Sequence, residues 1–194
     1  MVKNAITQLK TAFILLVLMT LLTGLVYPLM VTGLAQLFFP WQANGSFIEK
    51  EGKKIGSLLI GQQFSSANYF WGRPSATVPF PYNGAFSSGS NSGPSNTRFL
   101  QTVDERVNEL KKANPNNALI PVDLVTASAS GLDPDISPYA ALYQASRIAM
   151  ARNIPEEKIQ TLIKRHIKTR TFALLGEPRV NVLQLNLALD NLTW

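Results

Sequence analysis

The side chains best suited to chemistry crowd into one soluble stretch, residues 61–77, which reads GQQFSSANYFWGRPSAT. Phe64, Tyr69, Phe70 and Trp71 set four aromatic rings ahead of Gly72-Arg73-Pro74-Ser75. Rings bury area and a guanidinium supplies directional donors, so Tyr69, Phe70, Trp71, Arg73 and Ser75 make a candidate partner interface. The competing account is an aromatic core cluster closed by a Gly/Pro turn. Residues 126–131 (TASASG) combine small hydroxyl side chains with a glycine. Such a stretch either presents backbone donors to an anion or packs as a tight turn.

The motifs of enzyme and metal chemistry fail one after another. The Gly/Ser-rich run at 87–93 is not a phosphate loop, because no GxxxxGK[ST] occurs and the next lysine is Lys111. Asp133-Pro134-Asp135 opens like a calcium loop, but Pro138 stands where its sixth-position glycine belongs and Gln144 where its glutamate belongs. His166, the sole histidine, lies at the edge of an apolar helical face and is expected to be structural. With 0 cysteines the chain has neither disulfides nor thiolate metal sites. GxSxG and SxxK are absent. The chain is therefore expected to carry no catalytic or metal site, and its residues assign it no cofactor.

The elements that must hold these residues are mixed. Residues 46–48 and 55–57 fit a hairpin, and residues 57–61 (SLLIG) read as a short buried strand. Residues 79–97 are rich in Gly, Ser, Asn and Pro and are expected to be irregular. Phe99, Val103, Val107 and Leu110 repeat at helical spacing over 98–113, and Asn114-Pro115 ends the run. Ser137-Pro138 starts a helix expected to reach Arg152, with Asn153 as its cap. A second helix begins at Pro155-Glu156-Glu157 and is expected to end near Lys168 and Arg170, burying Ile159, Leu162, Ile163 and Ile167. Residues 179–182 suggest a short strand running into a helix capped by Asn181, with Val182, Leu185, Leu189 and Leu192 inward. Two helices joined by a short turn, the second of them basic, invite a helix-turn-helix DNA-binding reading, but the charges are mixed along solvated faces and no nucleic acid partner is expected.

All of this follows an apolar run, residues 11–39, that has no charged side chain. At 1.5 Å per residue a helix of that length reaches roughly 43 Å, more than the ~30 Å of a bilayer core. A cleavable secretory segment usually has an apolar region of about 7–15 residues, so an uncleaved anchor is expected. Pro28 cannot give the hydrogen bond due to the Gly24 carbonyl, which must be relieved by a neighbouring helix or a local distortion. Thr20 and Gly24 lie one turn apart as a small-xxx-small pair, so Thr20, Gly24 and Pro28 form a candidate helix-packing site. Lys10 abuts the run, whereas the far side has no charge until Glu49. That asymmetry places a short tail (1–10) in the cytoplasm, the single-pass helix at 11–39 and an α+β domain (40–194) outside.

Several segments resemble one family: residues 24–28 (GLVYP), 39–46 (FPWQANGS), 69–76 (YFWGRPSA), 124–133 and 181–190. In order and spacing they are similar to the C subunit of the bacterial Kdp potassium-transporting ATPase. The resemblance implies a non-catalytic subunit of a complex in the bacterial cytoplasmic membrane. Its partners would be a channel-like potassium-translocating subunit, a P-type ATPase subunit and a small membrane subunit. It also implies a catalytic chaperone that raises the ATPase subunit's affinity for ATP. A domain outside the membrane cannot touch cytoplasmic ATP. Either the orientation is the opposite one, or the effect passes through the complex, or the chaperone description does not apply to the assembled state. The alternative class is a stand-alone membrane-anchored binding module.

Overall fold

The computed structural model describes residues 2–114 and 118–191, and the chain divides into two compact units, Met1–Phe47 and Ile48–Trp194. In the first unit, α1 (Val2–Leu21), a π-helical turn (Leu22–Val26) and α2 (Tyr27–Phe38) run as one rod. Asn4–Phe38, 35 residues, is long and apolar enough to cross a membrane. Apolar side chains cover it on every side and none is buried. The π turn immediately precedes Pro28, with the Tyr27 amide reaching back to the Leu22 carbonyl. It is a local distortion of the kind the proline demands. Pro40 opens a short α3 (Pro40–Ala43), after which Ser46 N–H donates to the Trp41 carbonyl (3.0 Å) and Trp41 Nε1 to the Phe47 carbonyl (3.0 Å).

The second unit is mixed α and β. β1 (Phe47–Lys50) and β2 (Lys53–Ser57) form the expected hairpin, turned at Glu51-Gly52 with both residues at positive φ. The buried strand expected at 57–61 is absent. Ser57 Oγ accepts from Leu59 N–H (3.1 Å), and this local turn leaves Leu59 exposed. Residues 58–96 then run without regular secondary structure until Asn96 caps α4 (Thr97–Ala113) by accepting from Phe99 N–H (3.1 Å). Pro115, invoked as the stop of that helix, lies outside the described residues.

After a 3-10 turn (Val122–Leu124), β3 (Asp135–Ile136) leads to Ser137, which caps α5 (Pro138–Tyr143) as expected. The single helix expected up to Arg152 is broken at Gln144 into α5 and α6 (Ala145–Arg152). There the Gln144 amide shifts to the Ala141 carbonyl three residues back, and its side chain turns toward Trp71. Asn153, left-handed at φ 56, ends α6. α7 (Glu156–His166) carries acid in its first turn and base in its last, and buries Ile159, Leu162 and Ile163. It stops four residues short of Arg170. The reason is that Lys168 exchanges backbone hydrogen bonds with Arg179 (2.8 and 3.0 Å), which takes the chain into a hairpin.

β4 (Val180–Asn181) pairs antiparallel with β3, Asp135 opposite Asn181 and Ile136 opposite Val180. Asn181 then caps α8 (Val182–Asp190) by accepting from Gln184 N–H (3.0 Å). Val182, Leu185 and Leu189 are inward as expected, while Leu192 falls outside the described residues. The core gathers Ala140, Ala141, Ile148, Ile159, Ile163, Val180, Leu185 and Leu189 from α5 to α8, with Phe70 contributed by the irregular stretch.

Candidate partner-binding site

An extended backbone has no helix or ladder to satisfy its amides, so residues 66–75 need partners from elsewhere. Two buried side-chain amides supply them. Asn186 of α8 accepts from Phe70 N–H (2.8 Å) and donates to the Phe70 carbonyl (3.0 Å). Gln144 treats Trp71 in the same way, accepting from its N–H (2.8 Å) and donating to its carbonyl (3.1 Å). Gln144 also donates to the Ala140 carbonyl (3.1 Å) and accepts from Arg147 Nη2 (2.7 Å), so all four of its valences are used. The two amides replace the strand that Phe70-Trp71 lacks.

Two arginines close the same stretch. Arg147 is buried, donates to the Ala67 carbonyl and lies 4.1 Å from the centroid of the Trp71 ring. Burial pulls its guanidinium down to about 10. Arg152 donates to the Asn68 carbonyl (2.8 Å), pairs with Asp190 (2.7 Å) and stands 5.0 Å from the Tyr69 ring. The Tyr69 hydroxyl donates to the other oxygen of Asp190 (3.0 Å), and that hydrogen bond raises the phenol above its ordinary range.

Past Gly72 the chain is held by residues 123–135. Arg73 pairs with Asp133 (3.1 Å) and reaches the Ala127 carbonyl (3.4 Å). Ser75 Oγ donates to the Gly131 carbonyl (2.6 Å) and accepts from Tyr82 N–H (2.9 Å). The Tyr82 hydroxyl donates to the Arg73 carbonyl, and burial, with Asp133 adding to it, pushes the phenol up to about 12. Gly61 is required here: a Cβ at that position would stand 2.4 Å from Tyr82 Cε1 and 2.7 Å from the Asp133 carbonyl oxygen.

The five residues of the candidate interface therefore differ in what they can offer. Phe70 is corrected outright: at 0% exposure it is a core side chain and has no surface to give. Tyr69, Trp71, Arg73 and Ser75 are half-buried, each with an internal hydrogen bond. Sequence reasoning missed Gln144, Arg147 and Asn186. Each stood among apolar residues at helical spacing, the only signal that a polar side chain would turn inward.

The 126–131 stretch behaves as a turn. Gly131 N–H goes to the Ser128 carbonyl (3.3 Å) and Leu132 N–H to Ser130 Oγ (3.1 Å), while Ser87 and Ser88 donate to the Ser130 carbonyl. The Gly131 amide is thereby used inside the turn and is not free to hold a phosphate. Asp133 accepts from Asp135 N–H (3.0 Å), and no cluster of three or more His, Cys, Asp or Glu suited to a metal occurs among the described residues. His166 Nδ1 lies 2.9 Å from the Leu162 carbonyl one turn back, a structural contact. In the first unit Gly24 is open: a Cβ there would meet nothing within 4 Å.

A lone helix long and apolar enough to cross a membrane, ahead of a small α+β unit, is the architecture of the class of single-helix membrane proteins. Comparison with known proteins makes it specific. Residues 9–191 match the family model described as K+-transporting ATPase, c chain, and the chain belongs to that family. It is 57% identical over 188 residues to the potassium-transporting ATPase KdpC subunit of Methylococcus capsulatus, covering 96% of this chain and 99% of the relative. The corresponding subunit of Herpetosiphon aurantiacus is 56% identical over 187 residues, with 96% and 97% covered. That of Methylibium petroleiphilum is 57% identical over 185 residues, with 95% and 97% covered.

Proposed function

We propose that the chain is an assembly subunit of an ATP-driven potassium uptake complex, held in the bacterial cytoplasmic membrane by one helix with its domain on the outer face. Its partners are a channel-like potassium-translocating subunit, a P-type ATPase subunit and a small membrane subunit. The domain covers the potassium entrance of the channel-like subunit. The catalytic-chaperone effect, a raised affinity of the ATPase subunit for ATP, passes through the assembled complex rather than through nucleotide held by this chain. The internal use of the Thr126 and Gly131 amides supports that last point.

The observation that carries the reading is the bare helix Asn4–Phe38, with an open notch at Gly24. Between apolar helices in lipid, association rests on close packing, and a small residue permits it. Thr20 and Gly24 give a partner helix that approach, and the distortion ahead of Pro28 shapes the same surface. Gly24→Leu fills the notch without adding polarity. It is expected to reduce recovery of the other subunits when the complex is purified through this chain, while Gly24→Ala is tolerated. Unchanged recovery with Gly24→Leu would contradict docking through this face.

A further inference from the structure

The hairpin between α7 and β4 ends in a feature that the assembly role does not use. Thr171 and Leu175 exchange backbone hydrogen bonds (2.9 Å each way). The two residues after Thr171, Phe172 and Ala173, are both left-handed (φ 53 and 60). Left-handed backbone at two successive residues is the geometry of a tight hairpin turn, normally filled by Asn or Gly. Here an aromatic residue occupies it, and the result is outward projection of apolar side chains. Phe172 is 85% exposed, Leu174 80% and Leu175 63%.

Along the chain on either side of this apolar tip, residues 164–179, the exposed charged side chains are mostly cationic. Arg170 is paired with Glu177 (2.8 Å), whereas Lys164, Arg165 and Lys168 form no ion pair among the described residues. An apolar wedge flanked along the chain by basic residues suits the interface of an anionic bilayer. The rings and branched chains enter the acyl boundary and the cations stay among the phosphates. A protein interface of ordinary size buries about 800 Å² on each partner, more than three side chains on a narrow turn can provide. A fluid bilayer needs no matching cavity.

We propose that residues 171–175 dip into the headgroup region of an anionic membrane, a second and shallow membrane contact for the domain. The inference rests on the reading that residues 4–38 anchor the chain in a bilayer, since the anchor keeps the tip at high effective concentration near lipid.

The chain has 0 cysteines, so single probes are clean. Ala173→Cys and, separately, Leu25→Cys are labelled with an environment-sensitive fluorophore in the full chain. Each is reconstituted into vesicles of phosphatidylcholine with phosphatidylglycerol, or of phosphatidylcholine alone. The expected result at position 173 is a blue-shifted emission, quenched by spin-labelled lipid. It should be strong with phosphatidylglycerol, weaker without it, and lost when Phe172→Ser and Leu174→Ser are added. Water-like emission at 173 with lipid-quenched emission at 25 overturns the tip contact and leaves the anchor standing. Water-like emission at both positions overturns the anchor and the tip contact together. Shielding at 173 that appears only after the remaining subunits are added overturns the lipid contact in favour of a protein partner.

Discussion

Asn186 and Gln144 show how a single side chain can substitute for a strand. Each gives one donor and one acceptor to the same residue of an otherwise unpaired chain, and each is buried, at 2% and 0% exposure. A buried backbone group stripped of its partner costs about 1–3 kcal/mol. Asn186→Leu keeps the branched shape but strands both Phe70 N–H and the Phe70 carbonyl, so a loss of about 2–6 kcal/mol follows from two such groups. A fall in the chemical denaturation midpoint of that variant, with the wild-type slope retained, would match. A midpoint within error of wild type would mean that the Phe70 backbone finds other partners.

Among the elements, the irregular stretch from residue 61 to residue 83 is pinned against the 123–135 segment by Arg73 and Ser75, and Tyr82 ties the stretch to itself by donating to the Arg73 carbonyl. Its phenol is neutral when it donates to the Arg73 carbonyl, and its folded pKa of about 12 lies above the ordinary value of 10.0. The protonated phenol is thus favoured by folding. Its contribution is complete below pH 10 and is lost as pH rises toward 12. Alkaline titration of the folded chain, followed by near-ultraviolet absorbance, should show a tyrosine ionising well after the ordinary range. Tyr82→Phe should remove that late step and flatten the alkaline fall in thermal stability. An unchanged late step in Tyr82→Phe would assign it to another tyrosine.

The elements also show what the sequence made legible. Caps are local, so Ser137, Asn153 and Asn181 were readable from residue type and spacing alone. The apolar faces of α4, α7 and α8 were readable for the same reason. The break at Gln144 and the early end of α7 were not, because each follows from a distant partner, Trp71 in one case and Arg179 in the other. The 69–75 stretch concentrates ring and guanidinium chemistry in the sequence. Which of its rings faced inward was set by Asn186 and Gln144, 116 and 73 residues away. Alternation could not show that, since Phe70 sits between two half-buried aromatics.

At the scale of the whole molecule, family membership covers residues 9–191, the apolar helix and the α+β unit together. The orientation of that helix decides what the domain can meet. Lys10 beside the apolar run favours a cytoplasmic amino-terminal tail and an outer domain, from which contact with ATP is impossible. Ser92 lies in the exposed irregular loop, and Ser92→Cys provides the only thiol in the chain. Intact cells carrying this variant in the assembled complex are treated with a membrane-impermeant maleimide, with and without permeabilisation of the inner membrane. Labelling in cells whose inner membrane is intact is the expected result. Labelling only after that membrane is opened would put the domain in the cytoplasm and contradict an assembly role carried out from outside.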